Sequence, residues 1–371
     1  MAFTGLGNNV NLDNSLMPDV NRIAAMLTAD ETPLQSGTIG GNTVLATRSA
    51  ARERIDWFED SLLTGVSSVV GTLVTAGAEL TVTAGTRPHF STGDAVVIGS
   101  EVLRVTGYST AADVLLISRA VAGTAAQYVA GTPVRSIGRM QIDGADAVDA
   151  RMIDRTNQFN YTQVFVDELA LTGTRQSVQD WITGMGELDY QLSKKISEHM
   201  IKRERALLKG RRVLDGSNRR LMGGFDEFFG IVDTVTTSLT ETVLKNTMRS
   251  IFDNGAQAGD LIILASSRQR DVISGFTTFG VLQVDRSDAQ RGTSVANFIS
   301  DFGNASVVTH RHLAPGELYI YSRENVAIAP LRSLEVQPLA KTGDADRWQL
   351  VSEISLEVTK GSQAARFTAL T

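Results

Sequence analysis

The stretch Trp181–Gly210, WITGMGELDYQLSKKISEHMIKRERALLKG, decides how the rest of this chain is read. Trp181, Met185, Leu188, Leu192, Ile196 and Met200 recur every three to four residues, and Leu207 and Leu208 continue the row. Apolar residues at that period line one face of an α-helix. The only breakers inside the run are Gly184 and Gly186, near its start, and Gly210 closes it. At 1.5 Å per residue this predicts a spine over ~40 Å long, with those six residues as its core face.

The polar side of the helix and the loop after it are strongly basic. Lys194 to Arg220 hold ten Lys or Arg against Glu198, Glu204 and Asp215, a net +7 in a chain that is −6 overall. On the helix, Glu198 with Lys202, and Glu204 beside Arg203 and Arg205, can balance charge locally. In the loop, Arg211, Arg212, Arg219 and Arg220 have no such partners in sequence. They are the candidates for contacts with acids of a neighbouring subunit or with DNA phosphates, which need cations and no sequence code. Ion pairing between subunits is the favoured alternative, because the whole chain is acidic.

Working outward, Arg155–Val178 (RTNQFNYTQVFVDELALTGTRQSV) reads as extended, with Val164, Val166, Leu169 and Leu171 as its apolar positions. Ser177 is placed to cap the spine helix, with Asp180 in its first turn. Residues 67–137 differ in character: short β-branched runs separated by Gly, Ser, Thr and Asp. AVVIGSEVLRV predicts a hairpin turning at Gly99-Ser100. Strands about ten residues apart point to a small all-β barrel or sandwich. Downstream, SLTETVLKNTMRSIFDNG is an amphipathic helix stopped by Gly255, DLIILASS a buried strand and RQRDVISGF a short helix. Three strand-like runs follow. The class is α+β. Residues 1–36 are polar and turn-rich, apart from an amphipathic piece with Val20, Ile23 and Met26/Leu27 at helical spacing. They read as an arm that needs a partner surface.

The chemistry-bearing patterns are sparse. Cysteine is absent, which excludes disulfides, thiolate metal sites and thiol nucleophiles. The N-terminal stretch has neither the basic nor the apolar region of a secretory signal, and no window approaches a membrane span. GxxxxGK[ST], GxSxG and HExxH do not occur, and no cofactor motif is visible. His310 and His312 in HRH would share one face of a strand and could begin a metal site, although no third ligand lies near. His89 and His199 read as structural. Asp143, Asp146, Asp149 and Asp154 do not match a calcium loop and read as an acidic patch facing arginines.

The segments DETPLQSGTIG, IDWFEDSL, RTNQFNYTQVFVDELALTGTRQSV, ERALLKGRR, RRLMGGFDEF and LAKTGDADRWQLVSEISLEV stand in order along nearly the whole chain. Together they resemble the SU10-like major capsid proteins of tailed bacteriophages, within the wider class with the HK97-type capsid fold. The resemblance implies an N-terminal arm at 1–36, an extended-loop stem at 37–63 and 137–163, and an inserted β module at 64–136. It further implies a peripheral domain at 164–234 and 345–371 around the spine helix, and an axial domain at 235–344. The implied function is self-assembly, as hexamers and pentamers, into an icosahedral shell around double-stranded DNA. Assembly would take place in the bacterial host cytoplasm, with portal and scaffolding or decoration proteins as further partners, no cofactor and no membrane.

Two departures refine that picture. Some relatives crosslink their shells through a lysine on the extended loop; here none of the seven lysines precedes Lys194. Some carry a cleaved scaffolding region of about a hundred residues, for which a 36-residue arm is too short, so a separate scaffolding protein or none is expected. The rival readings are a nanocompartment shell of the same fold, a metal-dependent enzyme using His310 and His312, and a tail or baseplate protein.

Overall fold

Gln163–Thr172 (QVFVDELALT) alternates strictly in burial, with Phe165, Asp167, Leu169 and Leu171 inward and Val164 and Val166 exposed. Period-two alternation is the mark of a strand with one covered face. It also separates the four apolar positions read from the sequence onto opposite sides, and installs Asp167 among the inward set. The computed structural model describes residues 32–39, 42–144, 152–177, 187–233, 238–256, 261–276, 297–341 and 343–370. Most of the N-terminal arm, and Trp181, Met185, Asp146 and Asp149, lie outside the described residues. Two compact units divide at Trp57/Phe58 and Asn157/Gln158.

Two sheets, of four and six strands, build most of the larger unit. In the first, Gln163–Thr172 pairs antiparallel with Ala345–Val358, which pairs antiparallel with Val326–Pro338; Ala46–Thr47 adds a short parallel edge. The spine helix, Glu187–Lys209, packs on this sheet. Leu207 and Leu208 meet Phe165, Phe225, Phe229, Ile354 and Leu356 in its core. The second sheet is mixed, in the order Ile231–Asp233, Ala365–Phe367, Leu318–Ser322, Leu261–Ala265, Gly303–Thr309 and Asn297–Ser300. Leu261–Ala265 is buried at every position, as a central strand covered on both faces must be. The amphipathic helix Glu241–Asp253 covers it through Leu244, Met248 and Ile251, leaving Phe252 exposed. Its N-cap is Thr240, whose side chain accepts the Val243 N–H.

These pairings run across the boundaries that the resemblance implies. Val326–Pro338, assigned to the axial domain, belongs to the sheet beneath the spine helix, because it forms a hairpin with the strand that follows it. Ile231–Asp233 and Ala365–Phe367, assigned to the peripheral domain, sit side by side in the other sheet. Ser177, expected as a helix N-cap, is itself helical within Gly173–Ser177, and Asp180 lies outside the described residues.

In the smaller unit, six strands run in the order Val66–Ser68, Pro133–Arg139, Asp94–Ile98, Glu101–Tyr108, Val114–Ala122 and Glu79–Thr81. The two ends of that order meet at the Val69↔Val82 bridge, with Val70 N–H donating to Thr81 O and Thr83 N–H to Ser68 O. The sheet therefore closes into a barrel, which removes its edges. Leu80, Phe90, Val96, Ile98, Leu103, Val105, Leu115 and Val134 fill it. The hairpin turns at Gly99-Ser100 as expected, with Ile98 opposite Glu101. Gly99 has φ +58°, and a Cβ there would lie 3.0 Å from the Tyr128 ring, so the turn requires glycine. Glu101, fully buried, is held by a forked pair with Arg119 at 2.8 and 2.7 Å and by the Ala120 N–H.

Candidate functional site

The spine helix buries a polar seam rather than a continuous apolar stripe. Leu188, Leu192, Ile196 and Met200 are only partly buried; the fully buried positions are His199, Glu204, Leu207 and Leu208. The row read as the helix core is an i, i+4 row, which winds about 40° around the axis at each step. Leu207 lies in the direction between Ile196 and Met200 and is fully buried, so that side of the helix is covered at its C-terminal end. His199, between the Leu188 and Leu192 directions, is what faces the strands.

His199 joins three elements. Its Nδ1–H donates to Asp167 Oδ2 at 2.8 Å, and its Nε2 lies 2.7 Å from the Ser352 hydroxyl, which donates to it. Burial holds the His199 pKa below the usual histidine range, against the pull of Asp167. Burial would raise Asp167, but hydrogen bonds from Lys202 and His199 outweigh it and hold the carboxyl below its ordinary value. Ser352–His199–Asp167 copies the connectivity of a hydrolase triad. Ser352 and His199 are fully buried and Asp167 is 9% exposed, so no substrate reaches Ser352 Oγ. The three residues clip helix to sheet.

One turn further on, Glu204 forms a second junction. Its Oε1 accepts the Leu34 N–H at 2.8 Å and the His310 Nε2–H at 2.9 Å, and its Oε2 accepts the Gln35 side chain at 2.8 Å. His312 N–H donates to His310 Nδ1 at 3.1 Å, which assigns the Nε2–H tautomer. His310 and His312 lie in the turn after Gly303–Thr309, not in the strand. His310 is thus committed to a carboxylate, and among the described residues no group of three or more metal-ligating side chains gathers. Among the described residues Glu204 makes no close ion pair with Arg203 or Arg205, although its charge favours the Arg203 cation against burial. Lys202 goes to Asp167, while Glu198 pairs instead with Lys195 at 2.7 Å.

The four loop arginines divide. Arg220 bonds Glu53, and Glu353 at 3.2 Å, with its side chain 16% exposed. Arg212 donates to Phe159 O at 2.6 Å and pairs with Glu227 at 3.4 Å. The Phe159 ring is sandwiched between the Arg212 and Arg54 guanidiniums, 4.1 and 4.0 Å from its centroid. Both arginines, expected to lack local partners, are engaged inside the chain. Arg211 is exposed, and Arg219, with its side chain 81% exposed, reaches only Asp215 at 3.7 Å. Asp167, Ser352, Glu53, Glu353, Phe159 and Glu227 were not legible as partners, because each comes from another strand, bend or helix.

At the C-terminal end of the spine, Lys209 meets Asp226 at 3.1 Å, Glu317 at 2.5 Å and the Tyr319 hydroxyl at 2.9 Å. Tyr319 O–H donates to Asp226 at 2.6 Å. Burial and the Asp226 carboxylate push the Tyr319 phenol far above its ordinary value, so it stays protonated as a donor. At these junctions charged groups are matched to one another across elements, an arrangement that fixes shape.

Comparison with known proteins agrees. No curated protein sequence matches this chain. Among solved structures, the capsid asymmetric unit of cyanophage A-1(L) aligns with TM-score 0.57 and 12% identity, over 98% of this chain and 99% of that one. The capsid of the native GTA particle gives 0.53 and 8%, over 97% and 98%. The capsid of Myoviridae phage XM1 gives 0.51 and 10%, over 99% and 100%. These likenesses establish a capsid-type fold with mixed helices and sheets. The family model described as SU10 major capsid protein matches residues 2–371, and the chain belongs to that family.

Proposed function

We propose that this protein assembles, as hexamers and pentamers, into an icosahedral HK97-type shell that encloses phage double-stranded DNA. The family match over residues 2–371 carries the reading. The polar seams support it: they hold a spine helix rigidly on its sheet and spend the buried His, Ser, Asp and Glu side chains on structure rather than catalysis. The barrel, whose strands run from Val66 to Arg139, is the module expected at 64–136, inserted in the extended loop. Arg211 and Arg219 are the loop cations left to meet acids of an adjacent subunit or packaged DNA. A net charge of −6 suits a container, since an interior dense in cations would bind the genome tightly. Portal and scaffolding or decoration proteins are the further partners, and assembly takes place in the host cytoplasm.

Expression of the chain with and without its neighbouring phage genes, followed by electron microscopy, tests this. Closed icosahedral shells containing the chain are expected. A tube, or a monomer under every condition, overturns the reading.

A further inference from the structure

We propose that a charge-free face of the β-barrel, centred on Val70, Val74 and Val129, docks on the same face of a second copy of this chain in the assembled particle. Two antiparallel runs build the face. Leu73 N–H donates to Tyr128 O at 2.9 Å and Tyr128 N–H to Leu73 O at 3.0 Å, while Val69 N–H donates to Thr132 O at 2.9 Å. Alternation along each run then sorts the side chains. Val69 and Leu73 turn into the barrel core, and Tyr128 packs against it. Their neighbours Val70, Val74 and Val129 turn outward, 48, 54 and 63% exposed. The Leu73–Tyr128 pairing sets Val129 opposite Thr72, diagonally between Val70 and Val74, so the three valines form one patch.

Residues 61–78 and 120–134 hold no Asp, Glu, Lys or Arg, in a chain that is 20% charged. Charge at this end of the barrel is turned inward instead. Arg119, nearly buried, forks onto Glu101 and donates to Val74 O at 2.7 Å and to Ala126 O at 2.6 Å. That staple fixes both runs and holds the apolar surface in one shape. An exposed apolar patch of this kind marks contact with another protein surface, and with no cation in either run it offers nothing to phosphate. A second copy fits it on two grounds. It brings an identical uncharged face, so the contact desolvates no charge and escapes the repulsion between chains of net charge −6. The patch is also small: three half-exposed valines and their neighbours make roughly a few hundred Å², against about 800 Å² per partner in a stable free complex. A foreign protein would have to be held by this face alone. Copies in a shell are held by their other contacts and gain the barrel contact through effective concentration. The inference rests on the shell reading for that reason, and a face meeting its own copy makes an isologous pair.

The chain has no cysteine, so Val70→Cys, Val74→Cys and Val129→Cys each place a single thiol on the face of the full-length protein. Mild oxidation or a short bismaleimide is applied to the soluble subunit and to assembled particles. Denaturing, non-reducing electrophoresis and peptide mass spectrometry identify the products. At least one variant is expected to give a chain dimer in particles and almost none in the soluble subunit. Particles that yield no dimer with any variant overturn the barrel contact and leave the shell reading standing, whereas chains that never assemble overturn both. An adduct with a different polypeptide assigns the face to a foreign protein and overturns the self-contact. Independently, Val129→Glu sets like charges against each other across the pair. It is expected to raise the fraction of dissociated particle about tenfold at a fixed urea concentration, with unfolding of the soluble subunit unchanged. Co-assembly of Val129→Glu with Val129→Lys copies is expected to recover most of that loss. Val129→Glu particles as durable as the parent overturn the proposal.

Discussion

Glu204→Ala is the perturbation that most directly tests the polar seam. The carboxylate is fully buried and accepts three hydrogen bonds, two at Oε1 from Leu34 N–H and His310 Nε2–H and one at Oε2 from Gln35. Alanine removes both acceptor oxygens and with them all three hydrogen bonds. It leaves a buried backbone N–H and a buried imidazole N–H with nothing to bond, each costing about 1–3 kcal/mol. The expected loss is about 3–5 kcal/mol. Glu204→Gln separates this cause from mere loss of volume. A glutamine carbonyl at the Oε1 position still accepts from Leu34 and His310. Its amide N–H₂ replaces Oε2 and faces Gln35, whose own Oε1 is buried without a partner and can turn to accept. The glutamine variant should therefore lose only about 1 kcal/mol. Urea unfolding of the soluble subunit measures both, and hydrogen exchange at the Leu34 amide reports the junction itself. An alanine variant within about 1 kcal/mol of the parent, or a glutamine variant as weak as alanine, refutes the assignment of Glu204 as a three-way acceptor.

Arg220→Ala leaves Glu53 and the nearly buried Glu353 facing each other without their shared cation. It should cost about 2–4 kcal/mol in the same unfolding assay, more than Arg219→Ala, which should stay within about 0.5 kcal/mol. Arg212→Lys should fail to rescue Arg212→Ala, since an ammonium cannot stack on Phe159 while donating to its carbonyl; thermal unfolding of the two variants checks this. Stability should fall on acidification below the ordinary histidine value. Burial lowers the His199 pKa in the fold, so protons bind the unfolded chain more readily, and the loss sets in as pH drops below about 6.5 and grows until the folded-state pKa is passed. His199→Asn should flatten the melting-temperature profile between pH 7 and 5, and an unchanged slope would sink that explanation. Phe90→Ala, emptying a fully buried site in the barrel, should cost about 3–5 kcal/mol and lower the barrel's melting transition.

The elements were legible where a single residue period dominates, and the seams were not, for a reason visible at His199 and Glu204. The Gly99-Ser100 hairpin, the helix ending before Gly255 and the all-buried Leu261–Ala265 are local patterns, and each appears where its pattern places it. The spine helix also appears, but its buried face was misjudged. Periodicity weighs apolar residues and treats His and Glu as solvent-facing, whereas here both are inward because partners arrive from elsewhere. Asp167 is 32 residues from His199, Ser352 is 153 away, and Leu34 lies 170 residues before Glu204. A buried charge is tolerable only when such partners meet it, so its burial is a property of the assembled tertiary structure and of no window in the sequence. The same logic narrows the basic run. Ten cations in 27 residues offer contacts to acids of a neighbouring subunit or to phosphate, and of these Lys202, Lys209, Arg212 and Arg220 each meet an acid of another element of the same chain. What is left at Arg211 and Arg219 is a small exposed charge on the loop after the spine helix. If these two arginines meet acidic patches of neighbours, their replacement by alanine should weaken particles at low salt and leave subunit unfolding unchanged, because neither holds the fold.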